Sequence, residues 1–312
     1  MENTILGIHH ITAIASDAKR NFNFYSKILG LRFIKKTVNF DDPGTYHFYF
    51  GDEIGSAGTI LTFFPWGEGI QQGRKGSGMA TEIGYSVPKG SLDFWVKRLD
   101  HYNVIYNKPS EKFGEKYVSF LDPDGLKLEL IESKTADNRK PWETDEINAS
   151  VALKGFHNIT LTLNKIDATA SILTDIFGYK LVDQSVNRYR YATTAVENAS
   201  IVDLVELPEE KHGHVANGSV HHVAFRVKND KSLMYFYEII SKMGLGITDQ
   251  IDRQYFHSLY FREPGGVLFE IATDNPGFTV DEALEDLGKN LKLPLQYESK
   301  RKEIEAHLVK IN

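Results

Sequence analysis

Two pairs of adjacent histidines are the first residues in this chain whose types and spacing could do chemistry. One pair is in "GIHHITAIASD" from Gly7, and the other is in "GSVHHVAFRVKND" from Gly218. Both lie in alternating apolar runs that predict β-strands. Because successive side chains of a strand face opposite sides of a sheet, one histidine of each pair is expected to bind a shared ion. The chain has no cysteine, so a metal site must use His, Asp, Glu or Tyr.

An internal repeat indicates which histidine of each pair is the ligand. The segment "GIHHITAIASDAKRNFNFYSKILGLRFI" matches "GFHNITLTLNKIDATASILTDIFGYKLV", and "MATEIGYSV" matches "SVHHVAFRV". In this alignment Asn158 stands opposite His10, and Glu82 stands opposite His222, so ligand-capable residue types vary at these two positions. We therefore predict His10 and His222 as metal ligands.

The expected third ligand is an acid on the last strand of the repeat. In "GGVLFEIAT", Glu270 lies between apolar neighbours, where a charged side chain is unfavourable without a partner. Two imidazoles and one carboxylate are the ligand set of non-haem Fe(II) oxygenases and leave positions open for substrate and dioxygen. The predicted cofactor is therefore Fe(II), with Mn(II) as an alternative for the same ligands. Zinc with a bound water would suit a lyase or a hydrolase.

Two further side chains are predicted to face the same ligand. Tyr260 precedes the "EPGG" turn and Glu270 follows it, so a hairpin would place them nearly opposite each other. A phenol there can hydrogen-bond a substrate oxygen or transfer its proton. Arg253 in "DRQYFHS" could hold an anionic oxygen, and a surface ion pair is its alternative role. Trp66 could wall an aromatic pocket, but a core position is the favoured interpretation.

Two other polar clusters are not expected to bind metal. The inner repeat positions, Glu82, Glu129 and Asn158, lack an imidazole. His212 and His214 lie in the Gly-rich polar stretch "EEKHGHVANG", which is typical of a solvated loop.

The elements that must position these residues form four similar units, each a strand, a helix and further strands. We predict an α+β fold of four βαβββ modules in two tandem pairs that form cup-shaped, barrel-like mixed sheets. Asp17 and Asn164 are placed to cap helix N-termini, and Gly30 and Gly178 to end those helices. The predicted divisions are the N-terminal module pair (1–135), a polar linker (136–150), the C-terminal module pair (151–275) and an amphipathic helical tail (276–312).

Composition narrows the classes of function. The net charge of −6 and the pI near 6.0 argue against a nucleic-acid binder. No stretch has the apolar length of a membrane span, and the N-terminus lacks a signal-peptide pattern. We therefore expect a cytoplasmic protein, without nucleic-acid or membrane partners; the sequence leaves open whether it is a homo-oligomer.

This arrangement of four modules resembles the vicinal oxygen chelate superfamily, because the residues that could bind metal lie on the first and last strands. That superfamily includes glyoxalases, fosfomycin-resistance proteins and extradiol dioxygenases. The His-His pairs, the block "DRQYFHSLYFREPGGVLFEIATDNPGFTVDE" and the tail "LPLQYESKRKEIE" are similar to the hydroquinone ring-cleaving dioxygenases. This resemblance implies roles around the metal for His9, Thr12, His221, Arg253 and Tyr260.

The resemblance and the ligand set together imply an Fe(II)-dependent dioxygenase that opens the ring of a substituted hydroquinone or a catechol. Its partners would be a small aromatic substrate and dioxygen. The alternative is a glyoxalase-like lyase or isomerase, or a thiol transferase, of the same fold. Such relatives commonly keep a fourth protein ligand, and Thr62 stands where that carboxylate would repeat. A third interpretation is a binding protein for an aromatic ligand with a vestigial metal site.

Overall fold

Each of the four repeats folds as a strand, a helix and three further strands in a computed structural model that describes residues 3–311. Module 1 comprises β1 (Ile8–Ala15), α1 (Ala18–Asn23), β2 (Arg32–Val38), β3 (Tyr46–Gly51) and β4 (Ile60–Pro65). Module 2 comprises β5 (Met79–Val87), α2 (Leu92–His101), β6 (Ser110–Lys112), β7 (Glu115–Leu121) and β8 (Lys127–Glu132).

The second half of the chain repeats this order. Module 3 comprises β9 (Gly155–Leu163), α3 (Asp167–Ser171), β10 (Lys180–Ser185), β11 (Arg188–Ala192) and β12 (Ile201–Glu206). Module 4 comprises β13 (Ser219–Val227), α4 (Asp230–Lys242), β14 (Ile251–Asp252), β15 (Phe256–Arg262) and β16 (Leu268–Pro276). Helices α1 and α3 each continue into one π-helical turn, over Phe24–Ile28 and Ile172–Ile176.

Each sheet joins one module from the first half to one from the second. The outer sheet has the order β14-β15-β16-β13-β1-β4-β3-β2 and combines modules 1 and 4. The inner sheet has the order β10-β11-β12-β9-β5-β8-β7-β6 and combines modules 2 and 3. The predicted mixed-sheet fold of four modules is confirmed. Residues 133–154 contain neither helix nor strand, and the division into domains stays a prediction.

The predicted helix caps hold at three of four positions. Asp17 accepts a hydrogen bond from the backbone N of Arg20 at 2.6 Å, as an N-cap should. Gly30 and Gly178 have φ angles of 71° and 74°, the left-handed conformation that ends a helix. The prediction for Asn164 is wrong, because its amide instead donates to carbonyl oxygens of the loop after β12, those of Leu207, Pro208 and Glu210.

The tail after β16 is less helical than predicted. It contains 3₁₀ turns at Phe278–Val280, Leu284–Asp286 and Leu295–Lys300, followed by α5 (Arg301–His307). No α-helix forms around Gly288, because this residue has φ 78° and passes so close to β2 that a Cβ there would lie 2.1 Å from the carbonyl oxygen of Phe33. The tail therefore follows the sheet edge. Within residues 3–311, no helix has both the length and the apolar character needed to cross a bilayer.

Candidate metal centre and active-site cavity

Three buried side chains from three strands of the outer sheet converge on one point. His10 on β1, His222 on β13 and Glu270 on β16 are 2%, 5% and 0% exposed. Oε2 of Glu270 lies 3.1 Å from Nε2 of His10 and 2.8 Å from Nε2 of His222, and the two Nε2 atoms are 3.4 Å apart. Among residues 3–311, this is the group of three His or carboxylate ligands close enough to share an ion.

The donor atoms of this group fit a bound cation. Glu270 Oε2 is buried and close to both imidazoles, yet the orientation of the groups leaves it without a hydrogen bond. Such an atom is costly in a protein interior unless another group compensates it. Burial alone would raise the pKa of Glu270, but the imidazoles of His10 and His222 outweigh it and hold that pKa well below its ordinary value. An ionised carboxylate facing two imidazole nitrogens is a metal-ligand set.

Two β-bulges, one in each histidine strand, shape this centre. In the β1–β13 ladder, Ile8 pairs with Phe225 and His10 with Ala224, so His9 is an extra residue. In the same ladder Thr12 pairs with His222 and Ala13 with Val220, so His221 is extra as well. A bulge interrupts the strict alternation of side chains and re-aims the residues beside it.

The bulged histidines, His9 and His221, contact the predicted ligands His10 and His222 directly. Nδ1 of His9 lies 2.9 Å from Nδ1 of His10, and Nδ1 of His221 lies 2.8 Å from Nδ1 of His222. Burial, followed by the neighbouring imidazole, lowers the pKa of His9 well below its ordinary value and that of His221 to about 3. Each is therefore neutral, and its Nδ1 can accept the Nδ1 proton of a histidine that ligates through Nε2.

A cavity of about 310 Å³ opens beside the three predicted ligands. Four of the five residues predicted around the metal line it: Thr12, His221, Arg253 and Tyr260. His9 does not, since it lies behind His10 and lines a separate surface cavity with Arg226 and Tyr255. The remaining wall of the active-site cavity is rich in aromatic side chains: Phe40, Tyr49, Phe64, Trp66 and Phe256.

The hairpin β15–β16 sets Tyr260 against Glu270 as predicted, since the two residues are direct partners in the ladder. The phenol oxygen of Tyr260 accepts a hydrogen bond from Nε of Arg253 at 3.3 Å, and the guanidinium lies 5.2 Å from the ring centre. Burial and the Glu270 carboxylate raise the pKa of Tyr260, which is therefore a neutral phenol. Arg253 also pairs with the exposed Asp41 at 3.3 Å.

Three residues of the site were missed or misassigned from sequence. Ser258 donates a short hydrogen bond to Oε1 of Glu270; its position two residues before Tyr260 on one strand puts it on the same face. His47 lines the cavity between Thr62, at 2.9 Å, and the Tyr49 hydroxyl, at 3.0 Å. The core assignment of Trp66 is wrong, because its side chain lines the cavity and is 37% exposed.

The hydroxyl groups of Thr12 and Thr62 extend the hydrogen bonds around His47. Their hydroxyls are 2.9 Å apart, so a hydrogen-bond chain runs from Thr12 through Thr62 and His47 to Tyr49. Thr62 brings a hydroxyl rather than a carboxylate to the position where a fourth protein ligand would repeat. Within residues 3–311, no fourth histidine or acid joins the three ligands.

In the inner sheet, the acids at the positions that correspond to the predicted metal ligands form ion pairs with basic residues. Glu82 lies 2.6 Å from Nζ of Lys127 and 2.9 Å from Arg188, and Glu129 forms a short ion pair with Lys112. The bulge geometry is retained, since Thr81 and His157 are the extra residues of the β5–β9 ladder. Fixed cations therefore neutralise the inner acids.

Comparisons with known proteins agree with this geometry. Residues 7–130 and 155–271 match the Glyoxalase/Bleomycin resistance protein/Dioxygenase superfamily. The chain is 46% identical to the Bacillus subtilis (strain 168) protein named "Putative ring-cleaving dioxygenase MhqO", over 99% of this chain and 97% of that one. It is 37% identical to a Sphingobium indicum protein named chlorohydroquinone/hydroquinone 1,2-dioxygenase, over 96% of this chain and 94% of that one.

A solved structure is similar over the whole fold. The crystal structure titled "putative dioxygenase" from Bacillus subtilis subsp. subtilis str. 168 has a TM-score of 0.95 and 45% sequence identity, and the match covers 99% of this chain and 98% of that one. Maize glyoxalase I shares the fold at a TM-score of 0.62 and 15% identity, over 87% of this chain and 92% of that one. With its four modules and its match over both halves, the chain belongs to the Glyoxalase/Bleomycin resistance protein/Dioxygenase superfamily.

Proposed function

We propose that this protein is an Fe(II)-dependent dioxygenase that opens the ring of a substituted hydroquinone. The observation that carries the proposal is the buried His10, His222 and Glu270 group beside an aromatic-lined cavity. The names of the full-length relatives, ring-cleaving dioxygenase and chlorohydroquinone/hydroquinone 1,2-dioxygenase, support this reaction class. A small aromatic substrate and dioxygen would be the partners, and a cytoplasmic location belongs to the same proposal.

His10 and His222, through Nε2, and Glu270 would hold the metal. When bound, Fe(II) supplies the Lewis acidity and the redox chemistry that reaction with dioxygen requires, and Mn(II) fits the same ligands. With three protein ligands, coordination positions remain for substrate and dioxygen. A lyase of this fold that uses a fourth carboxylate ligand is less well supported, because Thr62 stands at that position.

The chain's own residues orient the substrate ring and hold its proton. The aromatic wall, which includes Phe64, Trp66 and Phe256, excludes water and limits the ring to one plane. A substrate hydroxyl beside Tyr260 can exchange a hydrogen bond with the neutral phenol. Arg253 fixes that phenol and brings a permanent positive charge to the oxygen that loses its proton.

The first test is dioxygen uptake by protein loaded anaerobically with Fe(II). 2-Methylhydroquinone, chlorohydroquinone and catechol are supplied in turn, and the His222→Ala variant is the blank. We expect uptake of about one dioxygen per substrate with the hydroquinones, together with a new ultraviolet absorbance from a ring-opened acid, and neither signal in the variant. The rates of dioxygen uptake with the hydroquinones and with catechol then show which of the two ring types the enzyme prefers.

Absence of uptake with all three substrates, despite one bound metal per chain, would overturn the proposal. The same loaded protein would then be assayed for isomerisation of a glutathione hemithioacetal, which needs no dioxygen.

A further inference from the structure

A fully buried lysine lies at the junction of β2 and the C-terminal tail. Lys35 is 0% exposed, and its Nζ donates to Asp281 Oδ1 at 2.7 Å, to Glu282 Oε2 at 2.6 Å and to the carbonyl oxygen of Phe278 at 3.1 Å. An ammonium group is rarely buried unless its partners hold it in place. All three of these partners belong to the first turns of the tail.

Asp281 connects this lysine to a different part of the outer sheet. While Oδ1 accepts from Lys35, Oδ2 accepts from Nε2 of Gln254 at 2.9 Å and from the hydroxyl of Tyr255 at 3.1 Å. The Lys35 ammonium also lies 4.9 Å from the centre of the Tyr255 ring. One carboxylate therefore joins β2, the tail and the segment between β14 and β15.

That segment is the tight turn from which Arg253 reaches the active-site cavity. The backbone N–H of Arg253 donates to the carbonyl oxygen of Phe256 at 2.9 Å, and the N–H of Tyr255 donates to the carbonyl oxygen of Arg253 at 2.8 Å. Gln254 between them has φ 66°, a left-handed conformation that is unfavourable for this residue type without support from its surroundings. From this turn, Arg253 donates to Tyr260.

We propose that Lys35 is a positioning residue for the active site, acting through Asp281 and the 253–256 turn to hold Arg253 against Tyr260. The tail is then part of the catalytic apparatus rather than a cover on the sheet edge. Small displacements of a group that orients substrate lower the rate strongly, because the reacting atoms lose their alignment. This inference rests on the proposed function only in the role it gives to Arg253 and Tyr260.

The test compares three variants of the full chain by amide hydrogen exchange and by steady-state kinetics. Lys35→Met removes the ammonium and keeps an unbranched aliphatic side chain at this buried position. The double variant Gln254→Met with Tyr255→Phe removes both side-chain donors to Asp281 Oδ2 and leaves the Lys35–Asp281 ion pair intact. Leu308→Ala is the control, since Leu308 anchors the other end of the tail with Val38, Leu293 and Ile304.

We expect the Arg253 and Tyr255 amides to exchange at least tenfold faster in both turn-directed variants, and not in the control. In protein with unchanged metal content, kcat/KM for 2-methylhydroquinone should fall about tenfold in those two variants. A purely structural role would lower Tm in all three variants and leave kcat/KM and these amides unchanged, which would overturn the inference. Hydrogen exchange needs no turnover, so a wild type without dioxygenase activity would refute the proposed function while exchange still decides the role of Lys35.

Discussion

At the scale of single residues, the two histidines of each pair make different contacts: one faces Glu270 and the other faces its neighbouring histidine. His10 and His222 turn Nε2 toward Glu270, and their Nδ1 atoms face Nδ1 of His9 and His221. A hydrogen bond at Nδ1 fixes the tautomer and the ring plane of an imidazole ligand and makes it a better donor to the metal. We therefore expect His9 and His221 to orient the predicted ligands His10 and His222 rather than to bind the metal.

Removing an orienting histidine should weaken metal binding without abolishing it. In the His9→Ala and His221→Ala variants, we expect the Kd for Mn(II) or anaerobic Fe(II) to rise roughly 10–100-fold, measured by titration calorimetry. His157→Ala is the matched control, because His157 occupies the equivalent bulge of the inner sheet and contacts Asn158 and Glu115. Unchanged affinity in both outer variants would contradict this role.

At the scale of elements, the β15–β16 hairpin determines which side chains share the cavity. Its register places Tyr260 directly opposite Glu270 and brings Ser258 within hydrogen-bond reach of the same carboxylate. Neighbouring and diagonal side chains on one face of an antiparallel pair are close enough to touch. The hairpin thus carries the predicted ligand Glu270, the hydroxyl of Ser258 that hydrogen-bonds it, and the phenol of Tyr260, which lines the cavity.

Tyr260→Phe should separate proton handling from metal binding. The ring keeps its packing, but Arg253 and the substrate oxygen lose the hydroxyl, so we expect kcat to fall roughly 100-fold. The Kd for Mn(II) should stay within about twofold of wild type, because Glu270 keeps Ser258 and both histidines. Tyr117→Phe, on β7 of the inner sheet, serves as the control in the same dioxygen-uptake assay. If the affinity of Tyr260→Phe for Mn(II) fell as far as its kcat, the phenol would have a structural role at the metal site instead.

At the scale of the whole molecule, sheets and helices connect the four modules in different pairs. The sheets pair module 1 with 4 and module 2 with 3. Across the sheets, Tyr25 in the π-helical turn after α1 donates to Asp122 in the β7–β8 turn at 3.0 Å, and Thr169 in α3 donates to Glu263 in the β15–β16 turn at 2.6 Å. Each turn acid also accepts two backbone N–H groups of its own turn. One continuous apolar core then spans both sheets.

The Asp122 contact should make folding stability depend on pH. Burial, partly offset by the hydrogen bond from the Leu126 backbone, raises the pKa of Asp122 to about 7. The folded state then binds a proton that the unfolded state releases near pH 4, so this group's contribution falls as pH rises from about 4 to about 7. Over this pH range the folded state loses about 4 kcal/mol of stability from this group, at about 1.4 kcal/mol per pKa unit.

Urea unfolding of wild type and Asp122→Asn at pH 5, 6, 7 and 8 measures this effect. The free energy of unfolding of wild type, relative to the variant, should decrease steadily up to about pH 7 and then level off. Parallel stability curves across this range would show that Asp122 is ionised in the folded protein at pH 5.

The sequence by itself determined the four modules, the three metal-ligand candidates and the Tyr260–Glu270 pairing. The four modules follow from the internal repeat, whereas alternation within one strand places Glu270 and the "EPGG" loop sets its register against Tyr260. The internal repeat added the choice of His10 and His222 by comparing equivalent strands.

Only the tertiary structure decided how His9 and His221 contact the ligands, that Trp66 and His47 line the cavity, and that Asn164 serves a loop. A bulge is defined by the partner strand, so strict alternation in β1 or β13 could not locate it. Lys35 gains its partners from the tail, far along the chain, and His47 contacts Thr62 on a neighbouring strand, so no local period encodes these contacts. Local patterns therefore specify the elements and their faces, whereas packing between elements selects which polar groups meet.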